Sequence, residues 1–240
     1  MKRLLTAVAT IALLAACDRS DPPVEKIERA AEELVTEADP APAPQEPQGP
    51  FAPRDECAGQ PGASAFIAEL RAAADARDAD ALAALSAEDI QLDFGGGAGR
   101  ALLKERLGDP QYDLWGELEE VLAMGCASDG AVLSMPWYWT QPYTVDPFEG
   151  AIVTGENVAV HAAPDGASPR VGVLSWNEVT RTAAYDPEAE WAAIRWDDPE
   201  ADEDKSGFIR QSKLRSIVDY RIEAALRNDR WRLTSFIAGD

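Results

Sequence analysis

His161 is the one histidine in the chain, and so the one side chain whose ordinary pKa suits proton transfer near neutrality. It has no second histidine with which to build a metal site, and neither HExxH nor GxSxG occurs to give it a metal or a serine nucleophile. The run GGGAGR, residues 95–100, stands before a helical pattern, where glycines could let backbone N–H groups close on a phosphate. It lacks the Gly-Lys-Ser/Thr ending and the GxGxxG spacing, so a flexible strand-to-helix turn is the simpler reading. The run DDPEADEDKSG carries carboxylates at Asp198, Glu200, Asp202 and Asp204, a spacing suited to a calcium loop. Glu203 stands where such a loop needs glycine, and Ile209 where a bidentate glutamate would close it. A solvated loop between strands is favoured, with weak calcium binding as the alternative. Carboxylate pairs for glycoside hydrolysis carry no information in a chain with 43 Asp and Glu. No catalytic residue, metal ligand or cofactor site is therefore assigned, and an enzyme is not the favoured class.

The first residues, MKRLLTAVATIALLAAC, give a positive start, an apolar run too short to span a bilayer, and small residues before Cys17. This is the build of a secretory signal, residues 1–16. Leu14-Ala15-Ala16-Cys17 resembles the lipobox of bacterial lipoproteins. The resemblance implies that Cys17 becomes the lipidated N-terminus, anchoring the protein by its acyl chains to a membrane of the bacterial envelope and facing the periplasm. Asp18 resembles an inner-membrane retention signal, but the choice between inner and outer membrane stays open.

With Cys17 taken by lipid, Cys57 and Cys126 remain as an even pair in an oxidising compartment. A disulfide is the favoured state and two free buried thiols the alternative. The formal net charge of -21 argues against nucleic acid, whose phosphates select clustered Lys and Arg.

Residues 17–56 read as an acidic, proline-rich tether, with one short helix possible over 24–35. From Cys57 onward, apolar spacing predicts helices over 63–76, 78–85, 100–107 and 112–124. DIQLDF, with Ile90, Leu92 and Phe94 alternating, predicts a strand. PWYWTQPY, residues 136–143, reads as an aromatic junction packed between domains, or as a ligand groove. From Gly150 the period changes to two. Short strands separated by turn residues predict a small all-β barrel over 150–212. A final hairpin is signalled by alternation about Asn228-Asp229; two strands alone are marginal, so it must return to the N-terminal region, beside Ile90–Phe94.

NVAVHAAPDGASPRVGVL, EVTRTAAY, EWAAIRW and SGFIRQSKLR together resemble a bacterial SH3-like domain, through Val158, Val160, Pro164, Gly172, Leu174, Val179, Trp191, Ile194, Gly207, Phe208 and Ile209. His161 stands where that family often has a structural arginine. The remaining order of helices, strand, helices and Trp-bearing hairpin faintly resembles cystatin-like cone folds. The expected fold is thus α+β: a helix-rich region over 57–145, completed by a hairpin over 215–240, with the SH3-like barrel between them.

What the resemblance implies is a docking module for cell-wall (peptidoglycan) peptides or envelope proteins, with Tyr185, Trp191, Trp196 and Phe208 as candidate ligand-binding residues. The alternative is an enzyme or small-ligand carrier with a cone-shaped pocket lined by Asp93, Tyr138 and Trp231. A bare tethered spacer is a third possibility. Oligomeric state and pathway are not legible.

Overall fold

A computed structural model describes residues 48–198 and 203–239. Cys17, the signal, most of the tether and Glu200 and Asp202 of the acidic loop lie outside the described residues. Among the described residues, four α-helices and two sheets make a mixed α+β architecture, with most strands in the C-terminal half. In chain order these are α1 (Ala63–Asp75), α2 (Ala79–Leu85), β1 (Ser86–Gln91), α3 (Arg100–Gly108), α4 (Leu114–Ala123), β2 (Ala127–Ser128) and β3 (Val132–Met135). Then come β4 (Gly150–Val153), β5 (Val158–His161), β6 (Arg170–Leu174), β7 (Glu178–Arg181), β8 (Trp191–Trp196), β9 (Lys205–Arg210), β10 (Leu214–Ser216), β11 (Arg221–Arg227) and β12 (Arg230–Ile237).

The helices follow their apolar stripes. Phe66, Ile67, Leu70, Ala73 and Ala74 of α1 and Leu118, Val121 and Leu122 of α4 are buried at helical spacing. Asp78 caps α2 by accepting the N–H groups of Asp80 and Ala81. These faces pack on a five-stranded sheet of order β1-β12-β11-β3-β2, in which β1 runs parallel to β12 and the other pairs are antiparallel. Leu133, Ile222, Ala224, Trp231, Leu233 and Phe236 complete one apolar cluster with the helices. Each large side chain removed from water there contributes about 1.5–3 kcal/mol.

The β11–β12 hairpin lies in the same sheet as β1, which covers 86–91 and not 89–94. The strand stops at Gln91 because the N–H of Leu92 turns to the carbonyl of Gly97, closing the glycine loop. Phe94, expected inward with Ile90 and Leu92, is half exposed beyond that turn. The β2–β3 hairpin, absent from the sequence expectation, pairs with β11 and widens the sheet.

The second sheet has seven strands in the order β10-β4-β7-β8-β9-β5-β6 and runs from 150 to 216. Its ends, β10 and β6, do not pair among the described residues, so the closed barrel expected over 150–212 does not form. A register irregularity between Val160 and His161 interrupts the β5–β6 ladder, and β10 has only three residues to offer. The sheet still holds its own core of Val153, Val160, Leu174, Val179, Ile194, Trp196 and Ile209.

Packing begins before Cys57. Phe51 and Ala52 are buried, and the Phe51 N–H donates to the Trp176 carbonyl at 2.9 Å. The Cys126 N–H donates to the Arg54 carbonyl and the Glu56 N–H to the Cys126 carbonyl, both at 2.8 Å. Gly125 is required at this crossing: its φ is +79°, and an added Cβ would lie 2.3 Å from the Arg54 carbonyl oxygen. Cys57 and Cys126 form a disulfide with Cα atoms 5.7 Å apart, closing a separation of 69 residues. A third apolar cluster, with Phe51, Met124, Trp137, Tyr138, Ile152 and Ile217, joins the two sheets, and the PWYWTQPY aromatics supply much of it.

Candidate functional site

Strands β8 and β9 pair antiparallel so that Trp191 stands opposite Arg210. The Arg210 guanidinium lies over the Trp191 ring, 4.2 Å from its centroid, and forms an ion pair with the neighbouring Glu190. His161 meets the same indole edge-on, with ring centroids 5.3 Å apart. His161 Nδ1 donates to the Ser168 carbonyl at 3.0 Å, since a carbonyl oxygen can only accept. Trp191 is half-buried, so one face of this assembly meets solvent.

Two hollows flank it. One, of about 420 Å³, is lined by Glu156, Val158, His161, Trp191, Arg210 and Lys213, with Gly155 and Gly166 among its remaining walls. The other, of about 690 Å³, is lined by Tyr185, Pro187, Glu190, Arg210, Gln211 and Leu214. Tyr185 is exposed and has the Arg181 guanidinium 5.3 Å from its ring centroid. Arg210 thus belongs to both hollows. The arrangement offers flat apolar surface and guanidinium donors, which suits binding.

Of the four ligand-binding candidates, Tyr185 lines one of these hollows and Trp191 the other, and Arg210 lines both. Trp196 lines neither: it is buried in the sheet's core, and a Cβ at Gly172 would lie 2.7 Å from its ring. Phe208 is half-buried on β9, opposite Ala193 and His161, and lines neither hollow. Arg210, Glu190 and Lys213 were not singled out from the sequence. Their signal lies in the β8–β9 register, which sets Arg210 against Trp191 only after the two strands are paired.

Asp93, Tyr138 and Trp231 are not gathered around one cavity. Trp231 is buried among the helices and donates its indole N–H to the Pro61 carbonyl at 2.9 Å. Tyr138 lies in the cluster between the sheets, and burial pushes its hydroxyl pKa far up. Asp93 accepts the Gly97 N–H at 2.7 Å and pairs with Arg106, and both interactions hold its carboxyl below the usual aspartate range. The anion held by the GGGAGR loop is therefore the chain's own Asp93. In the acidic loop, Asp198 pairs with Lys205 and Asp204 with Arg195, while Ile209 is fully buried. Among the described residues no three His, Cys, Asp or Glu side chains are grouped to hold a metal ion. Compared with known proteins, the chain matches no family model and no curated protein sequence.

Proposed function

We propose that this protein is a lipid-anchored lipoprotein of the bacterial cell envelope, held at a membrane through Cys17, whose seven-stranded, SH3-like sheet docks cell-wall peptides or envelope proteins. The observation that carries the reading is the aromatic and cationic surface at Tyr185, Trp191 and Arg210, open to two hollows, on a sheet whose core is filled separately by its own apolar residues. Trp, Tyr and Arg are the side chains that most often dominate binding energy. The lipobox and tether support the location, since they would present the folded part at a membrane surface.

The test uses the full-length chain purified in detergent. It is incubated with isolated peptidoglycan sacculi and, separately, crosslinked in intact cells. The wild-type chain is expected to be retained on sacculi or crosslinked to a defined envelope protein. Trp191→Ala and Tyr185→Ala are each expected to weaken retention about tenfold, the loss of a single dominant anchor residue. Absence of both retention and a crosslinked partner would overturn the reading.

A further inference from the structure

The geometry points to the hollow between Trp191 and Lys213 as a seat for a carboxylate carried on a small peptide-like ligand. This rests on the reading of the sheet as a binding module and names the chemistry its surface selects. In the whole chain Asp and Glu outnumber Lys and Arg 43 to 22. In this hollow the balance inverts: Arg210 and Lys213 line it with Glu156 as its one acid. Glu156 is already engaged, accepting the Gln48 N–H at 2.8 Å. Among the described residues Lys213 has no ion-pair partner. The concave surface therefore offers an incoming anion the unpaired Lys213 and an Arg210 that it would share with Glu190, within a molecule that otherwise repels anions.

The cations are positioned for a group with an attached flat or apolar part. The Trp191 ring holds the Arg210 guanidinium by stacking, which limits its rotation. Glu190 pairs with Arg210 through Nη1. Nη2, which Glu190 leaves unpaired, lies beside Gly166, where an added Cβ would meet it at the 3.6 Å of ordinary contact, and both residues line the hollow. A guanidinium matches a carboxylate with paired N–H donors, and Lys213 adds a point charge beside it. Val158, Ala159 and the indole provide an apolar wall for the rest of the ligand.

Glu190 supplies the discriminating test, because it competes with the ligand for Arg210. The full-length chain in detergent, labelled at its tryptophan indole nitrogens, is titrated by NMR with acetyl-alanyl-alanine and with the same dipeptide as its C-terminal amide. The Trp191 signal is assigned by its loss in Trp191→Phe. The free carboxylate is expected to shift that signal and to bind about tenfold more tightly than the amide, the worth of one charge-assisted hydrogen bond. Arg210→Gln and Lys213→Gln, both at exposed positions, are expected to erase the preference. Glu190→Gln is expected to tighten the carboxylate form, a gain that general damage to the fold does not produce. Equal binding of acid and amide, no response at Trp191, or weaker binding in Glu190→Gln would overturn the inference. Sacculus retention without a carboxylate preference removes this inference alone. A carboxylate preference without retention or crosslinking removes the cell-wall or envelope partner alone.

Discussion

Asp93 fills from within the role that the glycine run offers to an external anion. Its carboxylate accepts the Gly97 N–H and pairs with Arg106, whose other nitrogen donates to the Leu92 carbonyl at 2.8 Å. A Cβ at Gly97 would fall 2.0 Å from the Asp93 carboxylate, so the residue is glycine because the acid is so close. The hydrogen bond from Arg106, and next the one from Gly97, hold the Asp93 pKa below its ordinary value. A carboxyl with a depressed folded pKa contributes stability that is complete above the unfolded value, about 4, and is lost as pH falls through the lower folded value. Asp93→Asn is therefore expected to melt below the wild type at about pH 7, with the gap closing as pH is lowered towards about 2. A gap in melting temperature that stays constant with pH would mean that the loop is held by other contacts.

The C-terminal hairpin shows how much local sequence can specify an element. Asn228 and Asp229 both have positive φ, 52° and 60°, which matches the turn to the twist of β11 and β12. Asn228→Val places a β-branched residue where left-handed backbone costs about 1–2 kcal/mol. The expected result is a lower denaturant midpoint with an unchanged slope; a changed slope would instead signal an altered unfolded state. This hairpin and helices α1 to α4 were legible because their signals, turn chemistry and apolar spacing, lie within a few residues. The sheet orders were not. The hairpin's return to the strand near Ile90 followed from its need for a third strand, but the parallel register of Ser86 with Leu233 and the place of β3 and β2 join distant parts of the chain, and nothing local encodes them. The β2–β3 hairpin was missed because two and four residues carry too little alternation to register. At the candidate site, Tyr185 and Trp191 were legible as aromatics, but Arg210 gains its meaning only from the cross-strand register. Trp196 misled because a Trp ending a strand looks the same in sequence whether it faces solvent or a glycine across the core.

Across the whole molecule, one buried cation ties the two sheets together. Arg215 sits on β10 of the seven-stranded sheet with its side chain 4% exposed. It donates to Glu117 at 2.8 Å and to Glu120 at 2.5 Å, both on α4, and to the Tyr220 carbonyl at 3.1 Å. Burial raises the Glu117 pKa, against the pull of Arg215, so the carboxyl depends on this partner to stay ionised. The apolar cluster of Phe51, Trp137, Tyr138, Ile152 and Ile217 lies in the same joint and resists water entry. Removing one member of such a group leaves the other charge poorly solvated, while removing both relieves that penalty. Arg215→Met is thus expected to destabilise by about 1.5–3 kcal/mol, the range for hydrogen bonds to charged groups. Adding Glu117→Gln to Arg215→Met should cost much less than Glu117→Gln costs alone, because the partner it would have lost is already gone. The measurement is a double-mutant cycle on equilibrium unfolding, and its coupling energy should be well above the few tenths of a kcal/mol expected for independent sites. If the joint is what makes the two halves unfold together, Arg215→Met should also separate the unfolding transitions seen by probes in each sheet. Strictly additive substitutions, with both transitions still coincident, would place the coupling in the aromatic cluster instead of the charge group.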